Sequence, residues 1–243
     1  MQTSDNPSST VVDLNNRVAS YFRDGLYLKA VKDLSAALSL LRETARKQKR
    51  SCQLCLADGS NMATVGSMCE FAAAQESPRS GETMSDIWNC KTAHRFQLPY
   101  VFHRPICVSD QIIRSHKSIE YLSYAIIFNL ALAQHLNFME SKSENSLRKA
   151  ISLYEFAQRL LVLQNLEVSA LHPMAILNNL GHAHDCLRNV SKAHMCFKQL
   201  LMAIMYVTES GESCAALVGD LTLDGFFRNA LPLVGTICTA PAA

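Results

Sequence analysis

This sequence predicts an all-α fold of stacked antiparallel helix hairpins interrupted by one long irregular insertion, and three observations predict it. Of its 243 residues, 49% are hydrophobic and 18% charged, with 9 Gly and 7 Pro. That is too few turn formers for a β-sandwich and too apolar for a disordered chain. The second observation is self-similarity: Val18, Tyr21, Ala30, Leu34 and Ala37 follow one another at steps of three, nine, four and three residues, and Gly181, His184, Ala193, Phe197 and Leu200 repeat those steps. Third, Ala131, Gln134, Ala150, Tyr154 and Ala157 keep the same steps with the nine widened to sixteen. Steps of three and four keep side chains on one helix face and the long step crosses a turn, so each set describes two helices folded back on each other. A small residue on each helix lets the backbones approach and the large one behind it fills the remaining space.

Taken in order, residues 1–10 are polar and read as disordered, with a first helix beginning near Thr10 or Asp13. Asp24-Gly25 turns the chain into a second helix from Tyr27 to Lys49, and residues 11–50 make the first hairpin. Periodicity fails over residues 51–108, the irregular insertion, where Ser77-Pro78-Arg79-Ser80-Gly81 reads as loop. At its end, Tyr100-Val101-Phe102 and Ile106-Cys107-Val108 flank Arg104-Pro105 as two short extended pieces. Residues 109–210 hold the second and third hairpins. Ser109 or Asp110 caps a helix to about Phe138 with an apolar stripe of Ile112, Ile119, Leu122, Ile126 and Leu130. The seven extra residues of the middle copy read as a polar surface loop around Asn137–Asn145, followed by a helix from Ser146 to about Leu171. Pro173 opens the next helix with His172 outside it, Asn189 suits the left-handed residue that closes it, and Ser191 caps the last helix, which runs to about Glu209. Residues 211–243 form a capping segment and tail: Leu221–Leu233 covers the open apolar end, and order stops near Pro232.

These residues resemble the tetratricopeptide repeat (TPR) family, whose helix pairs carry Leu-Gly-x-x-Tyr in the first helix and Ala-x-x-x-Phe-x-x-Ala in the second. Leu180, Gly181, Ala193 and Phe197 match it best, with His184 and Leu200 departing; Leu14, Tyr21, Ala30, Leu34 and Ala37 match in the first copy; Leu130, Ala131, Ala150, Tyr154 and Ala157 in the second. The resemblance covers about half the chain and implies a TPR-like α-solenoid. In its long insertions between degenerate repeats the chain is also similar to repeat-like proteins of microalgae.

Charge excludes some functions. Lys+Arg 23 against Asp+Glu 21 leaves +2, without the basic field that nucleic acid or an anionic membrane requires. Tyr121–Met139 is long enough to span a bilayer, but Asn129, Gln134, His135 and Asn137 would lie in lipid, so it reads as a water-soluble helix. Nine scattered cysteines and a start without a secretory pattern suit a reducing interior, cytosol or nucleus, which makes the sequon at Asn189 irrelevant. Arg46, Lys47, Lys49 and Arg50 read either as a nuclear address or as a solvated helix end. No phosphate-cradling loop, nucleophile elbow, zinc-protease helix or calcium loop occurs, so the reading is non-enzymatic and without cofactor.

The alternative is a zinc-stabilised or thiol-active protein centred on the insertion, where Cys52, Cys55, Cys69, Cys90 and His94 are ligand types zinc accepts. His182 and His184 are two apart and face different sides of a helix; His184 reads as a packed residue, and Cys186 with His194 suggests a thiol and its base, but both sit inside a repeat whose spacing already explains them.

If the pairs stack, the first helix of each lines a concave side. Its residues not used for packing are Asn15, Asn16 and Ala19, then Asn129, Leu132 and His135, then Asn178, Asn179, His182 and Asp185. Asparagine recurs in all three. Its amide both donates and accepts, so a ladder of asparagines can hold the main chain of an extended peptide; asparagines on helices also bond neighbouring loops, and the residues allow both. The expected partner is another protein or peptide. The resemblance implies a further exclusion: family members that grip acidic chaperone tails use Lys, Asn, Lys and Arg where Asn15, Ala19, Ala175 and Asn179 stand here, and only Asn129 agrees. Without a cationic fork a chaperone C-terminal tail is not the partner.

Overall fold

The computed structural model describes residues 7–53, 100–109, 118–166, 168–209 and 220–231. Every regular element among them is helical: α1 (Pro7–Arg23), α2 (Tyr27–Gln53), α3 (Ser118–Ser141), α4 (Glu144–Leu163), α5 (Leu171–Cys186), α6 (Val190–Glu209) and α7 (Asp220–Ala230). The all-α class is therefore as expected. Each helix packs on the next in the chain, and α1 also meets α3, as α5 meets α7.

The spaced residues sit where the helices meet. Val18, Tyr21, Ala30, Leu34 and Ala37 are all buried, as are Ala131, Ala150, Tyr154 and Ala157, and Ala193 and Leu200. At Gly181 a Cβ would stand 2.5 Å from the Phe197 ring, so the large residue of that hairpin presses on the small one across the interface. The turns close on a shared device. Gly25 (φ 70°) and Arg188 (φ 59°) are both left-handed, and the next residue donates back five positions, Leu26 N–H to Tyr21 C=O at 2.8 Å and Asn189 N–H to His184 C=O at 2.9 Å. These bonds satisfy carbonyls the helix end would leave open. The left-handed residue is thus Arg188 and not the expected Asn189.

Other expectations need correction. The seven extra residues of the middle copy are not a surface loop. α3 continues seven residues past Gln134 and α4 begins six before Ala150, leaving Lys142 and Ser143 between them. Seven residues are close to two helical turns, so lengthening both helices restores the same facing register. Asn137 and Ser146, expected in or beside the loop, face each other across the lengthened pair at 3.0 Å. α1 begins at Pro7, so residues 7–10 are helical, and α5 begins at Leu171, which puts His172 inside it. Asp110 and Ile112, the residues of the insertion from 54 to 99 and the tail from Pro232 lie outside the described residues, and Ser109, the other cap candidate, ends the extended segment 100–109.

The largest departure concerns α3 and α5. A helix with one apolar stripe was the expectation for α3; instead residues 122–133 are buried on every side, and so are residues 174–184 of α5. Helices flank them on some sides. The remaining side is covered by residues 100–109.

Candidate functional site

Residues 100–109 are extended without belonging to any sheet. In extended backbone the N–H and C=O of one residue point to the same side and those of its neighbour to the other, so one edge offers a donor and an acceptor at every second residue. Asparagine side chains take that edge. Asn229 Oδ1 accepts the Tyr100 N–H at 3.0 Å while its Nδ2 donates to the Tyr100 C=O at 2.7 Å. Asn179 does the same to Phe102, at 2.9 Å each way. Asn129 clamps Ile106 at 2.8 and 2.9 Å, and Asn16 clamps Val108 at 2.8 and 2.7 Å. An amide is the one neutral side chain that presents a donor and an acceptor at matching spacing for such a two-bond clamp.

The rungs fall into two triads with the same wiring. In one, Asn15 donates to Asn16 at 3.2 Å and to the Ile106 C=O at 2.9 Å, and accepts from Asn129 at 2.9 Å. In the other, Asn178 donates to Asn179 at 3.1 Å and to the Tyr100 C=O at 3.0 Å, and accepts from Asn229 at 2.7 Å. One triad spans α1 and α3, the other α5 and α7, and their targets lie six residues apart in the segment. Between them, no asparagine among the described residues reaches Arg104, and Pro105, which has no N–H, follows there. The segment runs from α7 towards α1.

Its buried side chains belong to the clamped residues. Phe102, Ile106 and Val108 are buried, whereas His103, Arg104, Cys107 and Ser109 are exposed. Phe102 lies against Phe128 of α3, centroids 6.3 Å apart, and Phe226 of α7 at 6.1 Å. Tyr100 meets Phe226 edge-on at 5.9 Å, and its ring occupies the space a Cβ on Gly225 would need, 2.5 Å away. Asn179 also donates to the Tyr154 hydroxyl at 3.0 Å, so a residue of the repeat pattern holds a rung in place. Burial raises the Tyr154 hydroxyl far above its ordinary range and keeps it neutral.

Five predicted binding residues, Asn15, Asn16, Asn129, Asn178 and Asn179, thus come together in one ladder. The expected free concave surface does not exist around them. Asn129, Asn178 and Asn179 are 0% exposed, because the chain's own segment lies on them. Three others stand apart. His135 and His182 pair with each other, Nε2 to Nδ1 at 2.9 Å, with His135 edge-on to Tyr154. Asp185 is exposed on α5 away from the ladder. Burial lowers both histidines, His182 to about 4 with Lys142 adding to the effect and His135 well below its usual range with His182 adding; a neutral pair shares one hydrogen bond and resists protonation. The residue that sequence reasoning missed is Asn229. Its helix lacks the repeat pattern, and the only signal was a polar side chain among Phe226, Phe227 and Ala230.

The thiol reading gains no geometry from the described residues. Cys186 Sγ lies 3.7 Å from the His182 ring rather than at His194, which is exposed on α6. Burial pushes the thiol up to about 11, opposite to what a nucleophile needs. Among the described residues no group of three His, Cys, Asp or Glu is placed to hold a metal. Cys55, Cys69, Cys90 and His94 lie outside them, and only the backbone of Cys52, in α2, lies within. Comparison with family models, curated proteins and solved structures finds no match for this chain.

Proposed function

We propose that this chain is a non-enzymatic protein-interaction module of TPR-like helix hairpins that grips extended main chain through its asparagine ladder. The observation that supports it most is the clamp itself: four asparagines on α1, α3, α5 and α7 each take both backbone groups of one residue in an extended segment. Such bonds hold any extended chain, because they touch no side chain, and selectivity falls to the apolar pockets beneath. The partner is another protein or peptide, met in the cytosol or nucleus, without nucleic acid or membrane. In support, no described helix is long and apolar enough to cross a membrane.

A second reading is favoured by the occupancy: the ladder is an internal clasp that fastens residues 100–109 to the helices and binds nothing else. Panning a displayed library of random decapeptides against a Phe102→Ser/Ile106→Ser chain separates the two. Under the first reading, peptides are enriched that lose binding when Asn129 and Asn179 are changed to Leu. A folded variant that enriches no such peptide leaves the clasp.

A further inference from the structure

We infer that residues 100–109 are an internal stand-in for the ligand, so that the groove takes an extended segment with aromatic side chains at its first and third positions and aliphatic ones at its seventh and ninth, by displacing the chain's own segment. The inference rests on the interaction-module reading and specifies its ligand. Three features carry it. The pockets are unlike each other: Phe128, Phe226 and the bare backbone of Gly225 accept flat rings at Tyr100 and Phe102, whereas Ile106 and Val108 are aliphatic and buried. The two triads fix the spacing, since the same wiring recurs six residues along the segment.

Finally, the interfaces that hold each hairpin together use mostly other residues, Tyr154 being shared through its bond to Asn179 and making no hydrogen bond to the segment itself. Val18, Tyr21, Ala30, Leu34, Ala150 and Ala157 are buried between helices and form no rung. Lifting the segment therefore opens the groove without parting the hairpins, a local opening rather than global unfolding. Tethering within one chain gives the segment an effective concentration on the order of millimolar. A free peptide of identical sequence meets that competition in the wild-type chain and escapes it where the internal segment is weakened.

The probe is a labelled peptide spanning Tyr100–Ser109, titrated by fluorescence anisotropy into the full chain and into a Phe102→Ala/Ile106→Ala variant. The expected result is binding to the variant at least tenfold tighter than to wild type, lost at least tenfold when the peptide carries Ser at the Phe102 and Ile106 positions. Equal binding to both proteins, or none to a variant whose circular dichroism is native, overturns the inference. Should the variant not fold, amide hydrogen exchange on the wild-type chain decides. The N–H groups of Phe102, Ile106 and Val108 are expected to exchange at least tenfold faster than those of Leu130 and Leu180, and exchange at the same rate overturns it. Failure here alongside enriched library peptides removes the stand-in but leaves the interaction module standing, whereas a silent library removes the module.

Discussion

Asn129 accepts the N–H of Ile106 at 2.8 Å and donates to the C=O of the same residue at 2.9 Å, sealed from water. Replacing it by Leu strands the Ile106 N–H and the Asn15 oxygen it bonds, while the Ile106 carbonyl keeps its bond from Asn15. Buried polar groups left open cost about 1–3 kcal/mol each, so Asn129→Leu is expected to lower stability by roughly 3 kcal/mol in urea unfolding. Asn129→Asp keeps the shape but removes the donor. It should be destabilised at pH 7 and recover part of the loss, relative to wild type, once acid restores a proton to the carboxyl.

Asn16 and Asn179 perform the same task on Val108 and Phe102, yet their surroundings differ. Asn16 is half-buried at the end of the segment, while Asn179 is enclosed and also supports Tyr154. Water can replace the first and not the second, so Asn16→Ala should cost about 1 kcal/mol and Asn179→Ala about 3. Because they belong to separate triads, the double variant should be additive within about 0.5 kcal/mol. Asn15 and Asn129 share a bond and a target, and their double variant should depart from additivity by about 1 kcal/mol or more.

How much of this was legible in the sequence depends on the distance over which each feature is encoded. The hairpins were legible because small and large residues one turn apart, such as Ala30 and Leu34, are a local pattern with a single helical meaning. The ladder was legible as residues, since Asn16, Asn129 and Asn179 each stand two before the small position of a copy. Its occupant was not. Tyr100 and Val108 carry no mark in sequence that pairs them with Asn229 and Asn16; that pairing depends on where residues 100–109 lie on the assembled helices. The lengthened middle hairpin was missed for a related reason: Glu140, Ser141, Lys142 and Ser143 are polar, as a loop is, but the exposed ends of long helices are polar too.

The buried histidines make stability depend on pH. His182 and His172 are held down to about 4, both chiefly by burial, and His135 lies well below its usual value for the same reason. In the unfolded chain each takes a proton near pH 6.5. The folded state thus binds fewer protons than the unfolded one between about pH 6.5 and 4, and stability should be full above that window and fall as pH drops through it. Each histidine contributes a slope of about 1.4 kcal/mol per pH unit at most. Urea midpoints at pH 7.5, 6 and 5 should fall steadily for wild type and less steeply for His135→Leu/His182→Leu. Parallel curves would show that the pair is protonated in the folded state.

Arg188 and Gly25 occupy the same left-handed position in equivalent turns, and only one of them suits it. A side chain at positive φ is strained by its Cβ, whereas glycine adopts that backbone freely. Arg188 is exposed, so exchanging it removes no buried contact. Arg188→Gly should therefore stabilise the chain by about 0.5 kcal/mol, the relief of strain being partly offset by the wider freedom of glycine when unfolded. Gly25→Ala should do the reverse and cost about 1 kcal/mol, although open space surrounds the missing Cβ, because the strain lies in the backbone and not in a clash. Thermal unfolding of the two variants, moving in opposite directions from wild type, would establish that both hairpins close by the same device.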